Sequence, residues 1–199
     1  VWSEGGDRGV YKSIDGGSTW TCVKSVSSYT GCNDLVMDPR NPDVLYAAFH
    51  QRIRKVFTYI GGGPESAVYK STDGGVTWKK LEGGLPTGDV GRIGLAISPV
   101  NPDVLYTVVE AKEDKGGIYR SVDKGASWEK RNSFSTSGNY YQEITCDPND
   151  VNRLFITDTY YQVSNDGGKT VSNLGELNKH IDNHCIWIDP TDGNHLLVG

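Results

Sequence analysis

The chain has 199 residues, rich in glycine (25) and tyrosine (11) and with a single methionine, a composition that short strands joined by many turns produce and long helices do not. Its net charge is −5 without a long run of either sign, which argues against the clustered Lys and Arg that a nucleic-acid backbone demands. No apolar run nears the ~20 residues needed to cross a bilayer, and the length suits one sizeable domain.

In chain order, the first recurring element is Ser13-Ile14-Asp15-Gly16-Gly17-Ser18-Thr19-Trp20. It returns at Ser71–Trp78 and Ser121–Trp128, and in worn form at Ser164–Val171, where Val171 replaces the Trp. Recurrence at spacings of about 40–60 residues signals a repeat architecture. The physics of one copy is direct. A strand such as Val68–Ser71 ends in an Asp-Gly-Gly turn and a second strand opens at Thr77-Trp78. The carboxylates of Asp15, Asp73, Asp123 and Asp166 are suited to accept hydrogen bonds from backbone N–H groups just downstream. Glycine supplies positive φ, and Trp20, Trp78 and Trp128 bring rings that can cover the hairpin. These residues are therefore read as a fold-stabilising device, not as a catalytic or calcium site.

A second signature interleaves with the first. Asp38-Pro39-Arg40-Asn41-Pro42-Asp43 precedes Val44-Leu45-Tyr46, and Ser98-Pro99-Val100-Asn101-Pro102-Asp103 precedes Val104-Leu105-Tyr106. Weaker versions begin at Asp147-Pro148 and Asp189-Pro190. Proline fixes φ and cannot donate to a ladder, so each is a turn between two strands. Together the signatures define a four-stranded antiparallel unit, the sequence form of a propeller blade. The expected fold is all-β, a β-propeller of about four blade equivalents read as a fragment of a larger ring whose remaining blades complete it. Residues 1–24 form a half blade, 33–82, 92–131 and 142–174 whole blades, and 184–199 the start of the next. Without its Trp, the third whole blade is expected to be the least covered at its outer edge.

Both kinds of stereotyped turn share one face in this scheme. The other face carries the variable connections, where function usually sits on a rigid scaffold. The segment from Phe49 to Ala67 holds His50, Arg52, Arg54, Lys55, Phe57 and Tyr59, a cluster suited either to an anionic or sugar ligand or to a solvated hairpin. In Lys179-His180-Ile181-Asp182-Asn183-His184, an extended backbone would place His180, Asp182 and His184 on one side. Such a set reads as a polar network, a ligand site, or an acid–base or metal pair. Aligning the first strands brings Arg92, Tyr141, Gln142, Glu143, Asn33 and Asp34 to the same level, around the mouth of a central channel. The carboxylates Asp34, Asp89, Glu143 and Asp182 are candidates for glycoside hydrolysis, but no spacing selects a pair. Cys22 and Cys32 could face each other across a strand connection; whether they form a disulfide stays open, and Cys146 and Cys185 read as small buried residues.

The octapeptide resembles the Asp-box, or BNR, repeat of β-propellers. Gly5–Ser13, Asp34–Pro39, Gly91–Leu95 and Lys179–His184 look like the N-terminal propeller of the sortilin/Vps10 group, which is related to the GH74-type xyloglucanase propellers. The Arg-Ile-Pro signature of sialidases is absent. The resemblance implies a secreted or periplasmic protein binding a peptide, protein or glycan ligand on the long-loop face. Two alternatives stand beside this: a glycoside hydrolase of the GH74-like endoglucanase kind, and a structural subunit of a larger assembly. The expected ligand-binding residues are His180, Asp182, His184, Glu143, Arg92 and Tyr141, with no cofactor and no resident metal.

Overall fold

The structure, a computed structural model, describes residues 4–199. Among these, every regular element is a β-strand, and no helix is long and apolar enough to cross a membrane. β1 (Val10–Lys12) pairs antiparallel with β2 (Thr21–Lys24) across the first octapeptide. β3 (Thr30–Asp38) and β4 (Asn41–Gln51) follow, then a small hairpin of β5 (Ile53–Lys55) and β6 (Thr58–Ile60), then β7 (Ala67–Ser71) and β8 (Lys79–Lys80). β3, β4, β7 and β8 form one four-stranded sheet in that order. The same order recurs in β9 (Val90–Ile97), β10 (Leu105–Ala111), β11 (Gly117–Ser121) and β12 (Glu129–Asn132). It recurs again in β13 (Ile144–Cys146), β14 (Leu154–Ile156), β15 (Gln162–Ser164) and β16 (Ser172–Asn173), before the pair β17 (Ile186–Asp189) and β18 (Asp192–Val198). Consecutive antiparallel sheets of this kind are the blades of a propeller.

The core follows from strand alternation. On β4, Tyr46 and Ala48 face β9–β12, joining Val90, Ile93, Leu95, Leu105 and Val109, whereas Ala47 and Phe49 face the β1–β2 side, where Val10 and Val23 pack. β10 repeats the scheme: Leu105 and Val109 point back, while Tyr106 and Val108 point forward onto Ile144, Leu154 and Ile156. Side chains alternate with period two, so one middle strand supplies both interfaces of its sheet. Buried hydroxyls tie neighbouring sheets: Tyr46 Oη donates to the Lys124 carbonyl at 3.0 Å and Tyr106 Oη to that of Val151 at 2.8 Å.

The four octapeptide turns share one hydrogen-bond plan. In the second, Ser71 Oγ donates to Asp73 Oδ1 (2.8 Å) and accepts from the Gly75 amide (2.9 Å). Asp73 Oδ1 also accepts from the Thr77 amide (2.9 Å) and Oδ2 from the Thr77 hydroxyl (2.5 Å). Asp15, Asp123 and Asp166 make the corresponding bonds. Hydrogen bonds from Thr77 hold Asp73 at about 2, and those from Thr19, Ser127 and Thr170 hold the other three at about 2. The first two turn glycines need positive φ, 69° and 89° at Gly74 and Gly75. Lys124 takes that role in the third turn at φ 59°.

The Trp rings differ in setting. Trp20 is 61% exposed, Trp78 lies between, and Trp128 is 7% exposed within the core shared with β4 and β7. The copy lacking Trp keeps its full hydrogen-bond plan, and Val171 packs partly against the Tyr106–Ile156 cluster while both residues of β16 are exposed. The octapeptide and Asp-Pro turns touch within each sheet: Gly74 N–H donates to the Asp43 carbonyl (2.9 Å), Lys124 N–H to Asp103 (3.0 Å) and Gly167 N–H to Asn152 (2.8 Å). Both turn types therefore share one face, and the opposite strand ends carry the long connections.

Candidate functional site

At the opposite ends, the first strands of successive sheets are stitched side to side. Asn33 Nδ2 donates to the Ile93 carbonyl (2.8 Å), and Asp34 Oδ2 accepts from the Leu95 amide (2.8 Å). Burial lifts the Asp34 carboxyl to about 6 against the hydrogen bonds it accepts from the Leu95 and Leu35 amides, with Glu143 adding to the rise. Gln142 is fully buried at φ 86° and fixes the loop before β13, its side-chain oxygen accepting from the Thr136 amide (3.1 Å) and hydroxyl (2.7 Å). Asn183, also fully buried, donates to the carbonyls of Asp158 (3.3 Å) and Thr159 (2.9 Å) and accepts from Lys179. Gln142 and Asn183 hold loops and present no polar group to solvent.

These stitches position two side-chain constellations. Arg92, near the start of β9, forms an ion pair with Glu143, just before β13, at 2.9 Å. Tyr141 Oη donates to Asp182 Oδ1 at 2.5 Å, its ring stacks on His184 with centroids 5.3 Å apart, and His184 Nε2 lies 3.3 Å from Asp182. The hydrogen bond between Tyr141 and Asp182 draws the Asp182 carboxyl below its ordinary value and raises the Tyr141 phenol.

His180 belongs only loosely to this group, acting on Asp182 through its charge. The run 178–184 is not the extended strand that period-two spacing requires. Asn178 and Asp182 take left-handed conformations (φ 60° and 85°), and the strand begins only at Ile186. Asp182 and His184 meet because the chain turns there, with the Asp182 and Asn183 amides bound to the Thr159 and Asp158 carbonyls. Among the described residues no three His, Cys, Asp or Glu side chains gather in a metal-holding arrangement.

The basic segment divides in two. His50 and Arg52 turn inward to a cavity of about 360 Å³ that Arg8, Asn33, Arg92 and Asn139 also line. Arg54 lies over the Tyr59 ring (5.9 Å), Lys55 reaches Glu4 (3.7 Å), and Phe57 stands exposed at the hairpin tip. Asp89 lies apart from the Arg92–Glu143 pair, bridged to Lys112 at 2.9 Å. Cys22, Cys32, Cys146 and Cys185 are all free, and burial pushes the Cys32 thiol to about 11. Arg8 was not singled out as a site residue by the sequence: it lies 44 positions from Arg52, and only the packing of the β1–β2 pair against β4 brings the two together.

Comparison with known proteins agrees with this architecture. A family model described as "Sortilin, neurotensin receptor 3" matches residues 66–198. A xyloglucanase of a Paenibacillus species is 32% identical over 121 residues, 57% of this chain and 11% of that protein. The vacuolar protein sorting/targeting protein 10 of Aspergillus terreus is 31% identical over 110 residues, 55% of this chain and 7% of that protein. The crystal structure of the GH74 enzyme of Niastella koreensis superposes with a TM-score of 0.67 at 22% identity, covering 99% of this chain and 30% of the enzyme, a likeness of fold. The chain thus spans about a tenth or less of the two sequence relatives. With the sheet order, the turn chemistry and a match over two thirds of its length, the chain belongs to the sortilin/Vps10 family of β-propellers.

Proposed function

We propose that this propeller belongs to an exported protein, secreted or periplasmic, and binds a peptide, protein or glycan ligand on the face formed by the long loops. The observation that carries this reading is the gathering of Tyr141, Asp182 and His184 beside Arg92 and Glu143, from three separate connections, at the strand ends opposite the stereotyped turns. The Tyr141–His184 stack is a flat aromatic platform whose polar edges are already oriented, which lowers the ordering cost of binding. The Asp182 and His184 side chains are about half exposed, so a ligand can reach them. Asp182, paired with the tyrosine hydroxyl, retains acceptor capacity for a sugar hydroxyl or a peptide N–H.

The test is a glycan and peptide panel against the full-length protein, followed by affinities for Tyr141→Phe and Asp182→Asn. Loss of a charge-assisted hydrogen bond weakens binding about ten-fold or more. Unchanged affinity in both variants overturns the reading.

The glycoside hydrolase reading takes second place, favoured by one observation. Asp34, held at about 6 chiefly by burial, feels the Glu143 charge, and a carboxyl raised towards neutrality suits general-acid work. Against it, the Leu95 amide already engages the Asp34 carboxylate. Xyloglucan hydrolysis that disappears in both Asp34→Asn and Glu143→Gln would promote this reading.

A further inference from the structure

A second cavity, of about 510 Å³, opens on the long-loop face between the β5–β6 hairpin and the near end of the β9–β10 pair. The hairpin contributes Tyr59 and Ile60 to its lining, and the strand pair contributes Asp89, Glu110 and Lys112. Asp89 and Lys112 satisfy each other at 2.9 Å. Glu110 is placed differently. Its Oε2 accepts one hydrogen bond, from the Arg92 amide at 3.3 Å, and its Oε1 has no hydrogen-bond partner among the described residues. No cation pairs with it, because the Arg92 side chain turns to Glu143 and Lys112 to Asp89.

The carboxylate is held from behind. Glu110 is half-buried, and a Cβ at Gly91 or at Gly138, in two separate segments, would overlap its Oε2. That oxygen is packed against backbone, which leaves Oε1 to line the cavity. Burial raises the Glu110 carboxyl above its ordinary value, the Arg92 amide offsets part of the rise, and no charged side chain acts on it. Asp34, which burial also lifts, is met by two amides and by the Arg92 charge. A carboxylate withdrawn from water calls for a partner of opposite charge. Tyr59 and Ile60, 43% and 46% exposed, offer accessible apolar surface beside it. The methylene stem of a long cationic side chain lies on such a surface while its head reaches a charge.

We infer that this cavity is a cation subsite, in which Glu110 receives the ammonium or guanidinium group of a lysine or arginine side chain of a peptide or protein ligand. The inference rests on the proposed use of the long-loop face, and it narrows the ligand to a chain carrying a basic residue. Glu110 Oε1 accepts from the ligand's N–H, Tyr59 and Ile60 cover the stem, and Lys112, by engaging Asp89, limits the negative charge at the rim.

The experiment titrates the full chain with N-acetyl-lysinamide, whose single charge is on its side chain, with the neutral N-acetyl-norleucinamide, and with calcium chloride. Ionic strength is held constant and amide shifts are read by NMR. Saturable shifts at Gly61, Gly62 and Ala111 with the lysine compound, absent with the norleucine compound and weakened about ten-fold or more by Glu110→Gln, support the subsite. The Gln variant keeps an acceptor for the Arg92 amide. Lys112→Met, which frees Asp89 for the same cation, should tighten lysine binding about two-fold and tests the assignment independently of the Gln variant. Equal responses to the lysine and norleucine compounds, saturation untouched by Glu110→Gln, or saturation by calcium alone overturns the inference. Panel peptides that lose affinity in Tyr141→Phe and Asp182→Asn yet are indifferent to Glu110→Gln remove the cation subsite while leaving the binding face standing. Glu110-dependent lysine binding, with panel ligands indifferent to Tyr141→Phe and Asp182→Asn, does the reverse.

Discussion

Tyr106 carries the clearest energetic consequence of the packing scheme. Its ring is fully buried on β10, among Val108, Ile118, Ile144, Leu154 and Ile156, with the Arg120 guanidinium 5.6 Å from its centre. Its hydroxyl bonds the Val151 carbonyl of the next sheet at 2.8 Å. Tyr106→Phe removes that bond alone and should cost about 1 kcal/mol. The ring without a hydroxyl is tolerated at the matching place on β14, where Phe155 stands and pairs in the same register. Tyr106→Ala deletes the ring and leaves a cavity at the interface, a cost of about 3–5 kcal/mol for an aromatic of this size. At roughly 2–4 °C per kcal/mol for a domain of this length, the Phe variant loses a few degrees in Tm, and the Ala variant on the order of 10 °C. Calorimetry and denaturant unfolding of the full chain measure both. An Ala variant within about 1 kcal/mol of the parent would refute the claim that adjacent sheets close on this face. Equal losses in the two variants would assign the stability to the hydroxyl instead of the packing.

The octapeptide carboxylates predict acid behaviour. Asp73 sits at about 2 in the fold against 3.8 ordinarily, so its contribution is complete above about pH 4 and is lost as pH falls towards 2. Asp73→Asn should flatten the stability–pH curve in that window, read by acid unfolding, and a curve unchanged in slope would contradict the assigned hydrogen bonds. Asp34 runs the other way. Raised to about 6, it stabilises fully below pH 4 and loses that contribution as pH rises through 6, so Asp34→Asn should remove the fall between pH 4 and 7 while keeping an acceptor for Leu95. Gly94→Ala should destabilise by about 1–3 kcal/mol in denaturant unfolding, because a Cβ there meets the Gln142 carbonyl oxygen at 2.1 Å, whereas Gly5→Ala, with open space around it, should be near neutral.

The fold was legible because its punctuation is local. An Asp-Gly-Gly turn is specified within eight residues, and a period-two apolar run such as Val104–Val109 states its two buried faces by itself. The strand Gly117–Ser121 is read directly from its neighbouring turns. The site was less legible for a physical reason. Arg8, Arg52 and Arg92 stand far apart in sequence, and blade packing alone sets them around one cavity. The β5–β6 hairpin inside the long Phe49–Ala67 connection has no turn signature comparable to the octapeptide. At Asp182, loop hydrogen bonds impose a left-handed backbone that side-chain alternation cannot foresee, so the expected alignment of His180 with Asp182 and His184 gives way to a Tyr141–Asp182–His184 group.

The central claim is that the long-loop face of the propeller meets the ligand. Hydrogen–deuterium exchange of the full-length protein, with and without the strongest binder from the panel, reads this directly. Slowed exchange is predicted in the connections around 25–33, 50–66, 133–143 and 174–184, with the octapeptide turns at 13–20, 71–78, 121–128 and 164–171 unchanged. Protection centred on those turns, with the long loops unaffected, would contradict it.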